Sequence, residues 1–146
     1  MTTKKADDLK KRTKQFALRI LKLVAALPNN VQGRAIANQL VRAGTAVAAN
    51  YRAACRGRSK AEFIAKLGTV EDEADESAFW MESIIEGELL KAQQVEPLLE
   101  EAVELRRIMA SSRILASKAL QNSKSITVNR DAKVNSNRQS AIGNRQ

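Results

Sequence analysis

The sequence predicts an all-α protein: an up-and-down antiparallel four-helix bundle with a disordered basic C-terminal tail. Three observations carry this. Apolar residues recur at steps of three and four through four segments, and both prolines fall at segment ends or in a first turn. The background is also rich in Ala, Leu, Lys, Arg and Glu, with only three Phe, one Trp and one Tyr in 146 residues, a composition that favours helix. The length suits one domain, divided into a flexible N-terminus (1–7), the bundle (8–120) and the tail (121–146).

The first helix is expected from about Asp8 to Leu27. Leu9, Phe16, Ile20, Val24 and Leu27 share one face, and Pro28-Asn29-Asn30 then stops it. The second begins near Asn30 as N-cap and shows the stripe Ile36, Leu40, Ala43, Val47, Tyr51 and Ala54. Small residues beside it, Gly44 and Ala46, allow close approach of a neighbour. Gly57 is expected to end this helix as the left-handed residue. Ser59 with Glu62 three residues on forms a capping box, so a third helix starts at once and packs antiparallel to the second. Its stripe is Phe63, Leu67, Val70, Ala74, Ala78, Met81 and Ile85. Pro97 in a first turn sets the fourth helix near Gln94, with Leu98, Ala102, Leu105, Met109 and Ala116 as its stripe to about Leu120. From Gln121 the chain is polar, basic and rich in Asn and Ser, the composition of a disordered tail.

Charge separates by segment. Residues 1–58 hold 13 Lys/Arg against 2 Asp/Glu, residues 59–90 hold 2 against 9, and the tail carries a net +4 within a total of +9. Such asymmetry points to a polyanion-binding surface or to packing of plus on minus between elements or subunits. No apolar run is long enough to span a bilayer, and the N-terminus lacks a signal-peptide centre, so a cytoplasmic protein without a membrane association is expected. The lone Cys55 sits in an Ala-rich helical stretch, where a structural role is the common one.

The absence of histidine removes the commonest general base and the usual zinc and di-iron ligands. No phosphate-binding glycine loop is present, and the acidic run Glu71, Asp72, Glu73, Asp75, Glu76 reads as a solvated or Arg-paired face before it reads as a magnesium site. The expectation is therefore no enzyme, no catalytic residue, no metal and no cofactor. Arg34, Arg52 and Arg56 share one stripe of the second helix with Arg42 at its edge; together with Lys11, Lys14 and Lys22 they form the candidate nucleic-acid-binding set. The same arginines could instead meet the acidic flank Glu71, Asp75, Glu82, Glu86 of a neighbouring copy, or remain a plain charged face. Phe79 and Trp80 fall on opposite flanks of the third helix, and Ile108 and Leu115 lie off the core line of the fourth; these four are the candidate oligomer interface.

With the segments TKQFALRILKLVAALP, IANQLVRAGTAVAANYRAACRGRSKAEFIAKLGTVEDEADESAFWMESIIE and EPLLEEAVELRRIMASS in view, the chain resembles the bacterial four-helix bundle proteins of the 23S rRNA-intervening-sequence family. The likeness runs from about Thr13 to Ser117, with ANYR, GRSKAEF and EADES as its most specific stretches. The resemblance implies an up-and-down bundle assembled into a barrel-like homopentamer, with no known enzymatic activity and no cofactor. It also brings in the accessory protein of diversity-generating retroelements, similar in fold and associated with a basic surface, with RNA or DNA binding and with a reverse-transcriptase partner. Gly44, where the family often has a hydroxyl residue, and the basic tail depart from the family pattern.

Overall fold

Short polar side chains start each of the first three helices. The computed structural model describes residues 3–143, with α1 at Lys4–Ala25, α2 at Val31–Cys55, α3 at Lys60–Glu86 and α4 at Ala92–Gly143. Thr3 accepts the Ala6 N–H at 3.1 Å, Asn30 that of Gly33 at 2.8 Å and Ser59 that of Glu62 at 3.1 Å, each satisfying a donor that the helix leaves orphaned. The Glu62 carboxylate reaches back to the Arg58 N–H at 3.0 Å, one residue before the cap, so the capping box forms in a slightly opened variant.

Several boundaries differ from expectation: α1 ends at Ala25 and α4 starts at Ala92, so Pro97 stands beyond its first turn. Helix α1 starts at Lys4 because Thr3 caps it, so residues 4–7 are helical; residues 1–2 lie outside the described residues. Gly57 does not take a left-handed conformation, and α2 closes with the Arg56 N–H bonded to Ala53 and Ala54 carbonyls. The left-handed residue stands at Glu88 instead, with φ 56°. There the Leu89 N–H reaches the Ile84 carbonyl and the Glu88 N–H that of Ile85, both at 3.0 Å, which is the paired bonding of a Schellman ending with a glutamate where glycine is usual.

The helices neighbour one another in a closed cycle, α1 to α2, α2 to α3, α3 to α4 and α4 back to α1, and among the described residues the backbones of diagonal helices do not approach closely. The α1–α4 pairing is the sparsest. At the centre lie Phe16 and Ile20 of α1, Leu40, Val47 and Tyr51 of α2, Leu67, Val70, Met81 and Ile84 of α3, and Val95, Leu98, Leu105 and Met109 of α4. Ile84 rather than Ile85 takes the inner position at the end of α3, and Ile36, Phe63, Val24 and Leu27 are half-buried at its edges. Buried Thr13 and Ser77 satisfy their hydroxyls on their own helix, donating to the carbonyls of Leu9 at 2.9 Å and Glu73 at 2.8 Å. A side-chain carbon at Gly44 would stand 2.6 Å from Ile20 Cγ1, so the glycine sets how closely α1 and α2 approach.

The tail expected to be disordered continues α4 as helix to Gly143, and residues 144–146 lie outside the described residues. Neither Pro nor Gly interrupts the chain between Pro97 and Gly143, and an established helix extends at low cost. The packed part still ends near Leu120, and every residue from Gln121 to Gly143 is exposed. The ion pairs Glu71–Arg113 and Asp75–Arg106 set an antiparallel register that brings the first turn of α3 opposite that point, so later residues have nothing to bury against.

Candidate nucleic-acid interface

Acidic residues are almost absent from α1 and α2 but frequent on α3, and the cyclic order of helices decides which cations they reach. Arg42 projects across the α2–α3 seam, pairing with Glu73 at 3.5 Å and more closely with Glu76. The Arg42 guanidinium holds the Glu76 carboxyl below its ordinary range by hydrogen bonding. Burial pushes the Glu73 carboxyl up, and its Oε2 is buried without a hydrogen-bond partner in the structure. On the other side of α3, Arg106 meets Asp75 at 2.6 Å and Arg113 meets Glu71 at 2.8 Å, while Arg12 of α1 forks onto Glu101 of α4 at 2.6 Å.

The α1–α2 face has no such supply. A groove between these helices is lined by Lys10, Lys11, Lys14, Arg52 and Arg56 over a floor that includes Ala17, Leu18, Leu21, Ala48 and Ala49. Lys10 pairs with Asp7 one turn earlier at 3.2 Å. Among the described residues, Lys11, Lys14, Arg52 and Arg56 have no carboxylate within ion-pair distance, and all four are exposed.

Of the seven basic residues singled out from sequence, the structure therefore gathers four in one groove. Lys22 lies with Arg19, Gln94 and Pro97 on the α1–α4 side. Arg34 stands at the start of α2, donating to the Asn29 side-chain oxygen at 3.2 Å. Arg42 does not look outward for an anion, because two carboxylates of its own chain hold it. Leu18 and Leu21, 41% and 44% exposed on the groove floor, were not singled out from sequence; their position off the α1 core line was the available signal.

The four apolar candidates occupy two places rather than one patch. Phe79, 55% exposed, and Trp80, half-buried against the core, do not diverge: their rings meet edge to face with centroids 4.9 Å apart, since neighbouring side chains on a helix are long enough to close the angle between them. The Trp80 indole donates to Glu76 Oε1 at 3.5 Å, next to Arg42. Ile108 is half-buried against the core and Leu115 is 69% exposed, both lining a cleft between α1 and α4 with Lys4, Lys5 and Arg107. Among the described residues no group of three or more His, Cys, Asp or Glu converges as a metal site, and no helix is long and apolar enough to cross a membrane.

The fold and surface define an antiparallel helical bundle with a basic groove in which four cations have no carboxylate within ion-pair distance among the described residues. The chain matches the 23S rRNA-intervening sequence protein family over residues 5–111 and belongs to that family. It is similar to the crystal structure at 1.70 Å of a protein of unknown function from the S23 ribosomal protein family of Bacteroides thetaiotaomicron VPI-5482. The two share 31% identity over 72% of this chain and 97% of that one, with a TM-score of 0.65. No curated protein matches the chain. The family match stops at residue 111, so the outer part of α4 lies beyond it.

Proposed function

We propose that this protein is a non-enzymatic, homo-oligomeric bundle that binds RNA or DNA with little sequence preference through its α1–α2 face. The observation that carries the reading is the groove cluster Lys11, Lys14, Arg52 and Arg56, four cations with no carboxylate within ion-pair distance among the described residues. Cations held on rigid helices meet phosphates at fixed spacing and release counterions on contact, a source of affinity that ignores base identity. The pentameric assembly and a reverse-transcriptase partner enter with the family resemblance, the cytoplasmic setting is the expectation drawn from the sequence, and no cofactor is part of this reading.

A second reading makes the groove a contact between copies, with Arg52 and Arg56 meeting α3 of a neighbour. The acidic flank available for that is depleted, because Arg113 and Arg106 already hold Glu71 and Asp75, leaving Glu82 and Glu86. This favours nucleic acid. Gel-shift titration at low and high salt tests the choice: retention that fades steeply with salt and is lost in Lys14→Glu/Arg52→Glu, with the oligomer unchanged by light scattering, supports the first reading. An oligomer that falls apart in this variant supports the second, and a wild-type protein that retains neither RNA nor DNA at low salt removes the first.

A further inference from the structure

The groove between α1 and α2 is zoned along its length. Lys11, Lys14, Leu18 and Leu21 follow at steps of three, four and three and so share one side of α1; Thr45, Ala49, Arg52 and Arg56 share one side of α2 at steps of four, three and four. Gly44 stands against Ile20, and in this antiparallel register the arginines come beside the lysines while Thr45 and Ala49 come beside the leucines. One half of the groove is therefore cationic and the other mostly apolar.

Phosphates alone have no use for the apolar half. Leu18 and Leu21 are 41% and 44% exposed, and the residues across from them, Ala48 and Ala49, are small, so the floor is open to a flat group. Thr45 donates its hydroxyl to the Val41 carbonyl at 2.6 Å, which leaves Gln15 as the one side-chain amide among the residues lining the groove. Such a floor offers area to the face of a base and little that reads its edge. Lys14 and Leu18 lie one turn apart, about 6 Å along the helix, so a phosphate held by the first leaves its own base within reach of the second.

We infer that the groove takes an unpaired strand, with its phosphates on Lys11, Lys14, Arg52 and Arg56 and its bases turned down onto Leu18 and Leu21. The inference rests on the nucleic-acid reading of the groove and adds the strand type. In a duplex the base faces are stacked on one another inside, so the leucines would stay uncovered, whereas an unpaired strand has base faces to spare. Packed helices lie about 8–10 Å apart, axis to axis, so the groove between them is also narrower than a double helix. Single-strand binding surfaces join a cationic track to a platform for base faces, commonly an aromatic one. Here the platform is aliphatic, so its share of the affinity is smaller and it stays indifferent to base identity.

The test is fluorescence anisotropy with three probes of about twenty units, each made as RNA and as DNA: an unpaired pyrimidine strand, its duplex, and an abasic strand of the same length and charge. A surface that reads phosphates alone prefers the duplex, which carries about twice the charge per length, and treats the two single strands alike. Here the order should reverse, with the unpaired strand bound at least about threefold more tightly than either the duplex or the abasic strand. Leu18→Gln/Leu21→Gln should bring the unpaired strand down to the level of the abasic one, leave the abasic strand unchanged and keep the salt dependence, because no phosphate contact is lost. The abasic comparison uses the wild type and holds however the variant folds. A preference for the unpaired strand in RNA only or in DNA only supports the inference and names the sugar. If the abasic strand or the duplex binds as well as the unpaired strand while Lys14→Glu/Arg52→Glu weakens all three, the inference fails and the groove reading stands. If the wild type binds none of them, both fall. A Leu18→Gln/Leu21→Gln protein whose oligomer dissociates in light scattering, or which loses binding to phosphatidylglycerol vesicles at unchanged affinity for the strand, would set the leucines against another occupant and overturn the inference.

Discussion

The α2–α3 seam and the α1–α2 seam are built from the same kinds of residue and end in opposite electrostatic states. Both have arginines from α2 at their rim. Across one, Arg42 finds Glu73 and Glu76; across the other, Arg52 and Arg56 face Lys11 and Lys14. The difference comes from helix order: α3 brings the carboxylates, and a four-membered cycle lets them reach α2 and α4 but not the far side of α2. A charge stripe on one helix thus says little about ligand binding until the neighbouring helices are placed.

The two seams also differ in how they are held, and disturbing that is the largest expected effect. The α1–α2 contact depends on the absence of a side chain at Gly44 against Ile20. Gly44→Leu should cost about 3 kcal/mol by overpacking, read as a lower urea midpoint. The groove should open with it, so that binding to RNA falls more than unfolding alone explains.

The α2–α3 seam should instead respond to pH. Glu76, held below its ordinary value by Arg42, contributes stability above the unfolded carboxyl value of about 4.5 and loses it as pH falls through its lowered folded value. Glu73, raised by burial, contributes most when protonated and loses that contribution as pH rises through its raised value. Thermal melts near neutral pH should therefore move in opposite directions: Glu76→Gln down by ~0.5 kcal/mol, after allowance for solvent screening, and Glu73→Gln slightly up. Equal losses in both would show that the two carboxylates share one role.

The smallest effect concerns the turn after α3. Glu88 holds φ 56°, a conformation that strains a residue with a side chain; glycine relieves the strain but loses more chain entropy on folding, so Glu88→Gly should gain only about 0.3 kcal/mol in a urea titration. A loss there would mean that the side chain supports the turn.

Much of the fold was legible in the sequence because its signals are local. The caps at Asn30 and Ser59 and the stripes through Leu40, Val47, Leu67, Val70, Leu105 and Met109 rest on spacing alone, and they are where expected. Less legible were features set by neighbours or by small angular differences. Ile84 and Ile85 are adjacent on the wheel, and only the packed α4 chooses between them. The left-handed residue fell at Glu88, which no composition rule marks, rather than at Gly57. For the candidate site the sequence revealed which residues are basic; which of them remain free depended on carboxylates far along the chain, 34 residues away for Arg42 and Glu76 and 42 for Arg113 and Glu71. The stretch from Gln121 to Gly143 continues α4 as helix although its composition argues against one, because it extends a helix already packed.

The difference between the two seams is tested most directly by one pair of charge reversals on the same helix. Fluorescence anisotropy of a labelled RNA at about 50 mM salt should show Arg52→Glu binding at least about tenfold more weakly than the wild type, while Arg42→Glu stays within about twofold of it. Equal weakening by both, or weakening by Arg42→Glu alone, would contradict the account that α3 neutralises one seam and leaves the other open.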